Sequence, residues 1–198
     1  MVSSLKQLAY GEKKPMDLHV NSSCQTFVNT FPIIEKHIGV NSRIVDFLLN
    51  GKDEQNHKTN VKGQMTQWFM HHHNEDFKWV CDEAIKLANE NNPTPVILTA
   101  FDCWGVVYRK GDWTKVHAHW PATWSFVYYA NGCERCAPLC FPDCPWPNVS
   151  YPPQKMIYSV TATKGNLVMF PGWVRHKVNK QECDCNRIVV AGNLYVKV

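Results

Sequence analysis

From Val96 to the end of the chain, apolar and polar residues alternate in short runs: VILTAFDCW, GVVYRK, WTKVHAH, SFVYYA, APLCF, KMIYSVTAT, NLVMFP, HKV and RIVVAGNLYV. Glycine, proline, asparagine and aspartate separate them, and a period of two rich in β-branched and aromatic residues predicts strands joined by turns. Many short strands imply a sandwich or barrel. The proline-rich PDCPWPNVSYPPQ, from Pro142 to Gln154, lacks too many N–H donors for a central strand and is expected to be a loop.

Before Val96 the period changes. Residues 1–15 are polar, and TFVNTFPII and EKHIGV read as short strands broken by Pro32 and Gly39. NSRIVDFLLNG predicts an amphipathic helix with Ser42 as N-cap, Ile44, Phe47 and Leu48 on one face and Gly51 as its stop. KDEQNHKTNVKGQ is polar enough for an exposed loop. A second helix is capped by Asn74 or Asp76, buries Phe77, Val80, Cys81, Ala84 and Ala88 at helical spacing against a sheet, and ends at Pro93 and Pro95. The expected fold class is mainly β with N-terminal helices.

Composition adds bounds. The 198 residues fit one domain, 1–198, in which 1–95 supply strands and buttressing helices and 96–198 the β core. A formal charge of +4 with dispersed lysines and arginines points to ordinary solubility and away from nucleic-acid binding. Eight Trp, seven Tyr and nine Phe suit a core and a substrate groove. No apolar stretch reaches membrane-spanning length and MVSSLKQLAYGEKK has no signal-like apolar region, so a cytoplasmic protein is expected. In that compartment the nine cysteines read as thiols or metal ligands, not disulfides.

Candidate chemistry sits in the strand run. On a strand, His117 and His119 project from one face, and His176 in FPGWVRHKV supplies a third imidazole, the commonest ligand type for iron or zinc. Arg187 opens the last strand. The consecutive His71, His72 and His73 diverge in either regular structure and read as a solvated helix start.

G-D-W-T-K-V-H-A-H, W-S-F-V-Y-Y-A, G-N-L-V-M-F-P-G-W-V-R-H-K-V and R-I-V-V-A-G-N, in this order over roughly residues 95 to 198, resemble the 2-oxoglutarate/Fe(II) oxygenases of bacteria and marine phages, in the superfamily that includes prolyl hydroxylases. The resemblance implies a double-stranded β-helix, or jelly roll. It also implies Fe(II), 2-oxoglutarate and dioxygen as reaction partners, and a hydroxylation coupled to conversion of 2-oxoglutarate to succinate and CO2. His117 and His176 take the positions of iron ligands. His119 stands where the superfamily has Asp or Glu, which leaves the third ligand open. Arg187 takes the position that pairs with the distal carboxylate of 2-oxoglutarate, Tyr129 that of a tyrosine bonding the same carboxylate, and Asn193 shares the Arg187 face by parity. The primary substrate, a peptidyl side chain or a small metabolite, is not specified. Two other classes stay open: a cupin-type three-His metalloenzyme without 2-oxoglutarate, and a non-enzymatic jelly-roll binding module.

In the implied fold, the turn holding Cys133 and Cys136 and the turn holding Cys183 and Cys185 lie together at the barrel end away from the iron. Their four thiols form the set suited to a structural Zn(II).

Overall fold

A computed structural model describes residues 29–32 (backbone only), 39–54, 59–92, 95–142 and 158–197. In chain order the elements are β1 (Asn29–Pro32), α1 (Val40–Asn50), β2 (Val61–Lys62), β3 (Gln64–Met65), a 3₁₀ turn (Met70–His72), α2 (Glu75–Asn91), β4 (Leu98–Tyr108), β5 (Trp113–His117), β6 (Trp124–Asn131), β7 (Leu139–Phe141), β8 (Tyr158–Val160), β9 (Asn166–Pro171), β10 (His176–Val178) and β11 (Arg187–Val196). The strands form two antiparallel sheets, ordered β1-β9-β6-β11-β4-β3 and β2-β5-β10-β7-β8. They pack as a double-stranded β-helix. Of the expected TFVNTFPII strand the structure describes β1; the rest of it, residues 35–38 of the expected EKHIGV strand, and the proline-rich loop from residue 143 onward lie outside the described residues.

Side-chain alternation divides the larger sheet between two cores. Cys103, Val107, Phe126, Tyr128, Ile188 and Val190 pack with the helices, whereas Trp104, Val106, Val127, Tyr129, Val189 and Ala191 point between the sheets. Helix α2 presents Phe77, Val80, Cys81, Ala84 and Ala88 to the first core. Its N-cap is Asn74, whose side chain accepts from the Asp76 and Phe77 N–H groups. Among the described residues no helix is long and apolar enough to cross a membrane.

Several local expectations are corrected. Helix α1 begins at Val40, inside the expected EKHIGV strand, with Gly39 as N-cap in the left-handed region at φ 87°. Ser42 lies within the helix and its hydroxyl donates back to Gly39 O at 2.8 Å. The buried face is Val40, Ile44 and Leu48, and Phe47 is half-exposed with its ring edge on Phe77. The expected loop after Gly51 contains β2 and β3, which pair with β5 and β4. VILTAFDCW and GVVYRK form one strand, β4, because Gly105 makes no turn. A Cβ there would lie 2.4 Å from Leu48 Cδ2 and 3.0 Å from Phe77 Cζ, so glycine allows the helices to touch the sheet. Nor is the His71 ring solvated: both ring nitrogens are buried, beside Cys81 and Cys103.

Candidate metal centre

Strands β5 and β10 pair so that His117 stands directly opposite His176. Each ring places Nδ1 on the carbonyl two residues earlier, His117 on Lys115 O at 2.8 Å and His176 on Val174 O at 3.0 Å. A carbonyl only accepts, so each Nδ1 carries its proton and each Nε2 keeps a free lone pair. His119 falls just past the end of β5, not on it, where its N–H donates to Gly172 O at 2.7 Å. The turn still brings it to the pair. Ring centroids are 4.8 Å apart for His117 and His119, 4.3 Å for His117 and His176, and 5.1 Å for His119 and His176. One nitrogen from each ring lies within 4.8 Å of the others.

Burial holds all three rings below the ordinary imidazole value. His119 is pushed down to about 3, with His117 adding to the effect, and His176 falls well below the ordinary range. Neutral rings with converging nitrogens are a donor set for a borderline divalent cation such as Fe(II).

His119 has a different outer partner. Its Nδ1 lies 3.5 Å from Asn193 Nδ2, and that amide is oriented by Asp102 Oδ1, which accepts from Nδ2 at 2.8 Å, and by Ser125 Oγ, which donates to Asn193 Oδ1 at 2.7 Å. The contact is with a donor. It favours a lone pair at Nδ1 of His119 and a proton at Nε2, the reverse of His117 and His176. Asp102 itself is pushed up to about 6, chiefly by burial and against the Asn193 hydrogen bond.

Behind the histidines the space between the sheets is lined by Tyr108, Thr114, Leu139, Phe170 and Arg187. Arg187 is 1% exposed, and its guanidinium lies 4.8 Å from the Tyr108 ring centre and 5.1 Å from that of Tyr129. Nη2 donates to the Tyr129 hydroxyl at 3.4 Å, while Nε and Nη1 have no partner among the described residues. Tyr129 is thus brought to Arg187, and Asn193 to His119. In front of the histidines a second space is lined by Asn60, Trp68, Trp104, Lys115, His117 and His119. His117 and His119 border both spaces.

Asp102 and Tyr108 were not singled out from the sequence. An acid in the apolar run VILTAFDCW was a usable signal for Asp102, whereas Tyr108 is one aromatic among many on a β4 face of the expected kind.

Residues 102–193 match the model of a family described as "Putative 2OG-Fe(II) oxygenase". No curated protein matches the chain. Among solved structures, a Pseudomonas putida prolyl-4-hydroxylase aligns with a TM-score of 0.64 at 15% identity, over 91% of this chain and 98% of that one. HygX from Streptomyces hygroscopicus, with nickel, 2-oxoglutarate and hygromycin B bound, aligns with a TM-score of 0.69 at 9% identity, over 92% and 88%. The viral collagen prolyl hydroxylase of Paramecium bursaria Chlorella virus-1, in its 2-oxoglutarate complex, aligns with a TM-score of 0.63 at 12% identity, over 87% and 98%. At these identities the likeness is one of fold.

Proposed function

We propose that this protein, whose residues 102–193 match the model of that oxygenase family, is an Fe(II)- and 2-oxoglutarate-dependent hydroxylase. The observation that carries the reading is Arg187, a buried guanidinium with two unpartnered nitrogens lining the same space as three neutral imidazoles. A fixed cation with vacant donors calls for a carboxylate, which the guanidinium fork binds through two parallel hydrogen bonds. The Tyr129 hydroxyl, held at Arg187 Nη2, adds a further hydrogen-bonding group for that carboxylate.

His117 and His176, with Nε2 lone pairs set by their backbone bonds, are read as iron donors, and His119 as the third. Bound Fe(II) would supply dioxygen activation coupled to decarboxylation of 2-oxoglutarate, leaving succinate and CO2 and placing one oxygen atom in a C–H bond of the substrate. The protein's part is to hold the rings neutral, anchor the dicarboxylate at Arg187 and line a largely apolar chamber that limits water. Neutral rings leave both charges of the ion uncompensated by its ligands, which further favours an anionic cosubstrate.

The Asn193 contact favours a second reading of His119 alone, as a residue whose Nε2–H donates to an anion at the metal. The outer space at Trp68, Asn60 and Lys115 is read as the seat of the primary substrate, a peptidyl side chain or a small metabolite. The relatives span that range: a Trichoplax adhaerens prolyl hydroxylase is in complex with a peptide fragment, and HygX holds hygromycin B. A reducing, cytoplasmic setting belongs to the same reading.

Anaerobic titration with Fe(II), with and without 2-oxoglutarate, tests the proposal. A metal-to-ligand charge-transfer band should appear only when both are present. Arg187→Ala should keep the metal and lose about 2–5 kcal/mol of 2-oxoglutarate affinity, the range for removing one partner of a buried charged pair. Metal binding without the band would replace this reading with a cupin-type three-His site. No metal at all would leave a jelly-roll binding module.

A further inference from the structure

Away from the histidines, two turns converge. The Asn193 and Ser125 end of β11 and β6 lies by His119, and the opposite end, where Ile188 pairs with Asn131, leads into the cysteines. Cys133 and Cys136 occupy the turn between β6 and β7, with the Cys136 N–H donating to Cys133 O at 2.9 Å. Cys183 and Cys185 occupy the turn between β10 and β11. The sulfurs of Cys133 and Cys136 are 3.6 Å apart, those of Cys133 and Cys183 3.9 Å, and those of Cys136 and Cys183 3.6 Å. Cys185 Sγ lies within 4.8 Å of both Cys133 and Cys136, in a mutually close set that does not include Cys183 Sγ. These are not bonded sulfurs, and all four are free thiols.

The spacing has a metric meaning. Four thiolates at about 2.3 Å from a tetrahedral Zn(II) stand about 3.8 Å from one another, the edge length that geometry requires. The three measured separations fall on either side of that value.

A second observation concerns the side chain that contacts the sulfurs. Gln181 is fully buried, and its amide is oriented by the Ala137 N–H, which donates to Oε1 at 2.7 Å. The amide nitrogen therefore faces the cluster, 3.1 Å from Cys183 Sγ, 3.3 Å from Cys136 Sγ and 2.8 Å from Cys185 O. A neutral thiol is a weak acceptor, whereas a metal-bound thiolate is a strong one. A buried donor aimed at two sulfurs fits the ionised form, and ionised sulfurs this close need a cation between them. The same residue ties the cluster to its surroundings, because the Gln181 backbone bonds Gly111 and Asp112.

We propose that Cys133, Cys136, Cys183 and Cys185 hold one structural Zn(II), with Gln181 donating to its thiolates. The ion joins the β6–β7 turn to the β10–β11 turn immediately before Arg187. Binding displaces the thiol protons to solvent and involves no change of oxidation state. The site does not rest on the oxygenase reading.

Untagged protein, purified without chelator, is measured by mass spectrometry under non-denaturing conditions and by elemental analysis. One zinc per chain is expected, with the four thiols resisting alkylation until the metal is stripped, and X-ray absorption at the zinc edge should show four sulfurs at about 2.3 Å. Cys133→Ser and Cys185→Ser should each lose the zinc increment, and Cys140→Ser, outside the quartet, should keep it. Should the serine variants fail to fold, the wild-type stoichiometry and absorption spectrum decide alone. Zinc-free protein with all four thiols freely alkylated overturns the proposal, as does a mass lower by two hydrogens from a Cys133–Cys136 disulfide, or iron in place of zinc. A His117→Ala, His176→Ala double variant should retain the zinc, which separates failure of this site from failure of the histidine site.

Discussion

Two nitrogens of a buried guanidinium without partners among the described residues are a large desolvation cost unless a ligand satisfies them, and burial governs the three histidines as well. All three are held neutral by burial, so the folded state has imidazole values below the unfolded one of about 6.5. The sign follows. Below about pH 6.5 the unfolded chain binds protons that the folded one refuses, so the stabilisation present at neutrality is lost as pH falls, for His119 down to about 3. Urea midpoints of the metal-free protein should therefore fall between pH 7 and pH 5, with a shallower slope in His119→Leu. Metal binding to the folded protein should persist below the pH at which free imidazole titrates. A second prediction concerns His119→Asp. If His119 ligates iron, the variant keeps iron with a changed spectrum; a spectrum identical to wild type assigns the ring to the anion-donor role. The sequence made His117, His119 and His176 visible because a strand period and a spacing suffice to place imidazoles. It hid the proton positions, which depend on Lys115 O, Val174 O and Asn193 and thus on three-dimensional contacts.

Among the elements, β4 shows how a local signal misleads. Gly105 reads as a break between two strands, yet β4 runs through it for 11 residues, and the glycine is explained by Leu48 and Phe77 pressing on that face. Gly105→Ala should destabilise the protein by about 1–3 kcal/mol, the range for overpacking a filled core. Leu48→Ala in the same chain should recover part of that loss, so that urea denaturation gives a non-additive cycle. Additive losses would mean that the contact is not what excludes a side chain there. Helix α2 was legible in its buried face, because a regular apolar stripe specifies it, and its start was narrowed to Asn74 or Asp76, of which the structure uses Asn74. Helix α1 was not, because Gly39 caps it by backbone conformation and leaves Ser42, the conventional cap residue, inside the first turn.

At the scale of the whole molecule, the order of strands was out of reach of any local pattern. β11, near the end of the chain, lies in the middle of the larger sheet between β6 and β4, with Arg187 opposite Tyr108 and Asn193 opposite both Asp102 and Ser125. Alternation identifies such strands but not their neighbours, and here those neighbours assemble both the Arg187 pocket and the Asn193 network. The fold class was legible because many short alternating runs leave few architectures, whereas the coupling of sites through β11 was not. The two spaces that share His117 and His119 have a consequence for traffic. Arg187 lines the one and Trp68 and Lys115 line the other, so if the dicarboxylate and the primary substrate take these two spaces as proposed, an occupant on the Trp68 side should hinder exchange past the histidines. On that reading the dicarboxylate arrives first and leaves last. A large outer ligand that cannot react should slow the escape of radiolabelled 2-oxoglutarate from the anaerobic complex, and an unchanged release rate would show that the inner chamber has another door.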